Sequence, residues 1–175
     1  MSKSLRICLD LNIWCAALIA DAKGRQETAC QILVRIVRQG KCSLGTVNLV
    51  ISWGMLNRLQ QVLQTNPKLS VLRDDVVTYT NLISTYAKLS PQLTLGGTGV
   101  LPLRDEEDRH VLETSLVGKA DILVTANFAD FLVKDVQIIQ NNQHAIYFSP
   151  EHKFHIVHPF LMIKWLNQGY IPNLP

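Results

Sequence analysis

The chain alternates short apolar runs with longer segments whose apolar residues recur at helical spacing. Leu5 to Leu9 is near-continuously apolar, as in a strand buried on both faces, and Asp10 ends it. Gln26 to Gln39 carries Ala29, Cys30, Leu33, Val34 and Val37 along one helical stripe, and Gly40 stops it. Val47 to Ile51 predicts a second buried strand. Ser52 is placed to cap a helix whose Met55, Leu56, Leu59, Val62 and Leu63 share a face until Asn66-Pro67. Residues 71–89 predict another helix through Val76, Tyr79, Leu82, Ile83 and Tyr86, and the Gly-rich Leu93 to Leu103 predicts an irregular crossover. A helix from Asp105 to Gly118, a third strand over Asp121 to Thr125, a fourth over Val136 to Ile139 and a last helix from Pro159 complete the pattern. Strands that alternate with helices and read as near-continuous apolar runs predict an α/β fold, with a parallel sheet covered on both faces. In such sheets ligands bind beyond the carboxyl ends of the strands, so the polar residues placed there are the candidates.

Composition narrows the class. With 175 residues, 47% of them hydrophobic, the chain is expected to form one domain over residues 1–175, with core enough to stand without disulfide or metal staples. Cys8, Cys15 and Cys30 sit in apolar runs and Cys42 beside a basic stretch. With no C-x-x-C and no Cys/His metal spacing, they read as reduced packing residues. No apolar run approaches the length of a bilayer span, and the charged start lacks a convincing cleavage site behind it, so a cytoplasmic protein is expected. A net charge of +3 permits a nucleic-acid partner, but 18% charged residues is too few for binding by electrostatics alone. Arg35, Arg38 and Lys41 approach a basic edge that reads either as a solvated face or as a track for an RNA backbone.

Three stretches bring acidic or amide groups to strand ends or helix starts: Leu9-Asp10-Leu11-Asn12, Asp105-Glu106-Glu107-Asp108, and Thr125 to Phe131 with Asn127 and Asp130. A few carboxylates without His or Cys suit Mg²⁺, which takes one or two of them and keeps waters for a phosphate to displace. Helical spacing puts Asp108 on the stripe of Val111 and Leu112, with Asp105 one turn earlier. It assigns Glu106, Arg109, His110 and Glu113 to a solvated surface.

Asp10 after the first strand, Asp105-Glu106-Glu107-Asp108-Arg109-His110-Val111-Leu112 opening a helix, and Lys119 to Phe131 together resemble a PIN domain. Ser52 to Leu63 and Ile156 to Leu166 extend the likeness over nearly the whole chain. The resemblance implies a Rossmann-like three-layer α/β/α fold with a central parallel sheet, and Mg²⁺- or Mn²⁺-dependent hydrolysis of RNA. Toxins of bacterial toxin-antitoxin pairs are among the family, so an antitoxin partner and a homodimer are further implications. It makes Asp10 and Asp108 the metal ligands, Asp105 an auxiliary acid, and Asn127 and Asp130 members of the catalytic cleft. Asn12, Thr125 and Arg58 become candidates for holding substrate. Arg58 stands where the family usually carries Glu. A guanidinium about 4 Å from a cation is worth roughly 4 kcal/mol of repulsion at an effective dielectric of 20. Either Arg58 swings outward or contacts an RNA phosphate, or the chain is a catalytically weakened PIN fold that binds RNA or a protein.

Blander readings stand beside these. Asp10 can cap a following helix, Asp105 and Asp108 can form a capping box, and Asn127 an Asx turn with Asp130 as its surface companion. His155 and His158 read as surface or edge residues flanking a short strand, and the three tryptophans as core or interface fillers. Gly96-Gly97-Thr98-Gly99 lacks the Lys-Ser/Thr of a phosphate loop and reads as a turn. A dinucleotide-binding fold needs a Gly-rich turn after the first strand, which Asp10-Leu11-Asn12-Ile13 does not supply.

Overall fold

A computed structural model describes residues 4–67, 73–89, 93–94 and 106–175. The parallel centre of the sheet is built from β1 (Leu5–Leu9), β3 (Gly45–Ser52), β5 (Ile122–Val124) and β8 (Lys153–Val157), in the order β3-β1-β5-β8. Ile7, Cys8, Leu9, Val50, Ile51 and all of β5 are buried, which is why these strands read as unbroken apolar runs. The sheet is mixed rather than wholly parallel. β7 (His144–Phe148) and β6 (Val136–Gln140) add antiparallel to β8, while β2 (Lys41–Cys42, antiparallel) and β4 (Leu93–Thr94, parallel) line the outer side of β3. The strand expected over Val136 to Ile139 is present, as an exposed antiparallel strand with a bulge between Ile138 and Gln140.

Six helices surround the sheet among the described residues: α1 (Leu11–Ala22), α2 (Ala29–Gln39), α3 (Trp53–Thr65), α4 (Arg73–Leu89), α5 (Glu106–Val117) and α6 (Pro159–Gln168). The caps follow the sequence. Thr28 and Gln31 form a reciprocal capping box, Gly40 ends α2 in the left-handed conformation, and the Ser52 hydroxyl accepts the Met55 N–H. The arrangement is a Rossmann-like α/β fold with a mostly parallel core.

Two expectations are corrected. His155 is buried within β8, and Glu113, expected in solvent, is buried within α5. Val111, Leu112, Glu113, Thr114 and Ser115 are consecutive and all buried, because α5 is packed between the sheet and α3 and has little outward face over that turn. His110 is likewise half-buried. The four cysteines are free. Among the described residues, no helix is long and apolar enough to cross a membrane. The glycine cluster at 96–99 lies outside the described residues.

Candidate active site

Register aligns the strand ends. Leu9 is level with Val124, and Val124 with Val157. The Asp10 N–H donates to the Val124 carbonyl at 2.9 Å and the Thr125 N–H to the Val157 carbonyl at 3.0 Å. Asp10, Thr125 and His158 are thus the first residues past three adjacent parallel strands, at the edge where such sheets bind ligands. On the other side of β1, β3 ends at Ser52 and α3 begins with Trp53.

Asp10 is the centre of this edge. It caps α1, accepting the Leu11 N–H on Oδ1 at 2.6 Å. Its Oδ2 accepts from Asn12 Nδ2 and from the Thr125 hydroxyl, each at 2.7 Å. Asn12 also accepts the Ala126 N–H, at 3.3 Å, and the Thr125 Oγ1 accepts the Asn127 N–H at 3.0 Å. The capping reading and the site reading of Asp10 are therefore both physically present: one oxygen starts the helix, and the other ties β1 to β5. Burial pushes the Asp10 carboxyl up to about 6; the hydrogen bonds from Thr125 and Leu11 oppose that rise, and the charge of Asp130 adds to it. Asn127 and Asp130 are exposed, and the Asn127 amide donates to the Asp130 carboxylate across the short 3₁₀ turn Phe128–Phe131.

Beneath the edge, hydroxyls replace apolar contacts. Thr114 donates to Ser52 at 2.8 Å, both fully buried, and Ser115 is bonded to Cys8, linking α5 to the ends of β3 and β1. The sequence marks Ser52 only as a helix cap and gives Thr114 and Ser115 no role, because a lone Ser or Thr carries no pattern. α5 runs down to the Gly118–Ala120 turn from which β5 climbs back, so the first turn of α5 lies at the same edge as Asp10. Asp108 belongs to that turn; its carboxylate, like the whole of Asp105, lies outside the described residues.

Arg58 is exposed on α3 and bonds Gln61 at 3.3 Å among its contacts. Trp14 is wholly buried and Trp165 nearly so, as expected of core residues. Trp53, at the edge beside β1, is instead 39% exposed.

A mostly parallel α/β sheet with acidic and amide side chains at its carboxyl edge defines the class of Rossmann-like proteins that bind ligands at that edge. The family model for the PIN domain matches residues 6–129, which is 124 of the 175 residues, and the chain belongs to the PIN-domain family. It therefore has the fold of the PIN-type nucleases, which act on RNA and generally depend on a divalent metal. The match takes in Asp10, Arg58, Asp108 and Asn127 and ends one residue before Asp130. No curated protein and no solved structure matches the chain.

The donor chemistry suits a hard cation. A carboxylate offers about four lone-pair sites, and the three hydrogen bonds that Asp10 accepts among the described residues leave one, on Oδ1, for an ion or a water. Among the described residues, the groups hydrogen-bonded at this edge are a hydroxyl, a side-chain amide and backbone N–H groups, the neutral oxygen- and nitrogen-bearing surroundings that suit a hard cation. Among the described residues no three His, Cys, Asp or Glu side chains group closely enough to hold a metal alone. A complete ligand set therefore needs the acids of the first turn of α5 or water.

Proposed function

We propose that this protein is a metal-dependent ribonuclease in which Asp10 and Asp108 hold Mg²⁺ or Mn²⁺ and the carboxyl edge of the sheet binds an RNA phosphodiester. The observation that carries the reading is the buried Asp10 carboxylate, fixed by three donors and, among the described residues, left with one open acceptor position at the strand edge. The position of Asp108 at the first turn of α5, on the same edge, supports its partnership with Asp10.

The chain's own residues have distinct parts. Asn12 and Thr125 hold Asp10 in one rotamer, so its free lone pair is aimed before any ion arrives. Both also stand at the edge where substrate contacts form. Asp105, Asn127 and Asp130 supply further acceptors and an amide for positioning water and phosphate. When bound, the dication supplies a water acidified enough to attack phosphorus and charge to offset the phosphate oxygens. Arg58, solvent-exposed on α3, contributes a guanidinium for a backbone phosphate of the RNA. The whole of residues 1–175 acts as one domain in this scheme. A toxin role with an antitoxin partner, a homodimer and a cytoplasmic setting belong to the same proposal.

Cleavage of a labelled RNA in Mn²⁺ tests it. Wild type cuts, chelation stops the cut, and Asp10→Asn loses at least about 100-fold, the scale of losing a group that acts in the transition state. A folded wild type that cuts nothing, or equal cutting by both proteins, overturns the reading and leaves the weakened, binding-only PIN fold.

A further inference from the structure

Beyond the acidic cluster, the same edge carries an aromatic and basic patch on α6 that neither the core nor the proposed hydrolysis uses. His158 is the first residue past β8, level with Thr125, and its ring accepts the Phe160 N–H at 3.3 Å. The rings of His158 and Phe160 lie 5.2 Å apart and are inclined by 38°. Phe160 is 72% exposed, the highest exposure of any large apolar residue described. It does nothing for the packing of α6, which buries Pro159, Met162, Trp165 and Leu166, and phenylalanine is only a moderate helix former. Lys164, one helical turn on from Phe160, is exposed on the same side, and α6 carries no acidic residue. An exposed ring backed by a second, half-buried one, with a cation one turn away and beside the strand edge proposed to take a phosphodiester, supplies the elements of a single-strand binding track.

We propose that Phe160, braced by His158, is a stacking platform for a base of single-stranded RNA, with Lys164 on the neighbouring phosphate, one strand beyond the Asp10–Thr125 cluster. This rests on the ribonuclease reading for its choice of ligand, but not on catalysis. The platform makes the site select unpaired over duplex RNA, because a base held in a helix has no free face to offer. It also favours purines, whose larger rings stack more strongly.

The test is fluorescence anisotropy with chelator present, so that nothing is cut, on a labelled oligoadenylate and on an abasic ribose-phosphate strand of equal length. Phe160→Ala weakens oligoadenylate binding by about 5- to 150-fold, the range for loss of one base–aromatic stack. Phe160→Trp retains binding, Phe160→Leu does not, and the abasic strand distinguishes none of them. Lys164→Gln weakens both strands and lowers the salt slope by about one unit. Thermal melting of each variant matches wild type, because Phe160 is exposed. Unchanged oligoadenylate binding by Phe160→Ala, an equal loss on the abasic strand, or no RNA binding by the wild type overturns the proposal. If these results hold while the wild type cuts no RNA in Mn²⁺, the hydrolytic reading alone has failed. Cutting with unchanged binding by Phe160→Ala would mean that the platform alone has failed.

Discussion

The Thr125 hydroxyl donates to Asp10 Oδ2 at 2.7 Å, joining the ends of β5 and β1, and it opposes the rise that burial imposes on the Asp10 carboxyl. Removing it leaves the aspartate buried with less to stabilise its charge. Thr125→Val is therefore expected to raise the Asp10 pKa above its present value of about 6 and to move the acid limb of the cleavage profile to higher pH. A pH–rate series on both proteins checks this; an unmoved limb means that Asp10 does not govern activity.

Asp10 also sets stability against function. Its folded pKa of about 6 lies above the ordinary 3.8, so between those values the folded state holds more protons than the unfolded one and stability falls as pH rises. The cost is complete above pH 6 and is of the order of 3 kcal/mol. Asp10→Asn, while inactive, removes that charge but gives up one of the two acceptor oxygens, so its melting point relative to wild type is expected to be more favourable at pH 8 than at pH 5. At pH 5 wild-type Asp10 is largely protonated, and there is less charge for the substitution to remove. Melting curves at the two pH values decide it.

The buried His144–His155 pair gives the opposite slope. The two rings meet at 2.9 Å, His155 Nε2 lies 3.0 Å from the Pro172 carbonyl, and both rings pack edge-on to Trp165. Burial pulls His144 down to about 4 and lowers His155. With folded values below the unfolded 6.5, the unfolded state binds more protons, so stability present above pH 6.5 is lost as the pH falls towards 4. His144→Phe should flatten that loss. A denaturant series from pH 7 to 4 measures it, and an equally steep loss in the variant contradicts the assignment.

Gly118 sits where α5 turns towards β5. An added Cβ would collide with Val50 Cγ1 and lie 2.9 Å from the Thr114 carbonyl oxygen, and both neighbours belong to elements that position the site. Gly118→Ala is expected to cost about 1–3 kcal/mol, lowering the midpoint in urea without changing the slope.

Much of this architecture could be read from the chain. β1, β3 and β5 are buried on both faces and so appear as apolar runs, and the placement of Asp10, Asn12, Thr125 and Asn127 at their ends followed from that. α1 escaped the periodicity because Leu11, Ile13, Trp14, Ala17 and Ala20 are buried around much of its circumference, leaving no polar stripe to mark it. β7 went unread and β8 was read one side short, with His155 at its edge: His144 opens β7 and His155 lies within β8, and their burial is tolerable because the two rings bond each other and His155 also meets the Pro172 carbonyl. Glu113 was misplaced for a related reason: the spacing gave one buried stripe, while tertiary packing covers α5 on more than one side. The exposure of Phe160 is a property of the assembled edge, and nothing in Pro159-Phe160-Leu161 separates it from a core position.

Calorimetric titration of Mn²⁺ into the full chain tests the central claim most directly. The account predicts saturable binding by wild type that falls at least tenfold in Asp10→Asn and in Asp108→Asn, each still folded, with Arg58→Glu binding more tightly than wild type. Equal Mn²⁺ affinity in wild type and both Asp variants would contradict it.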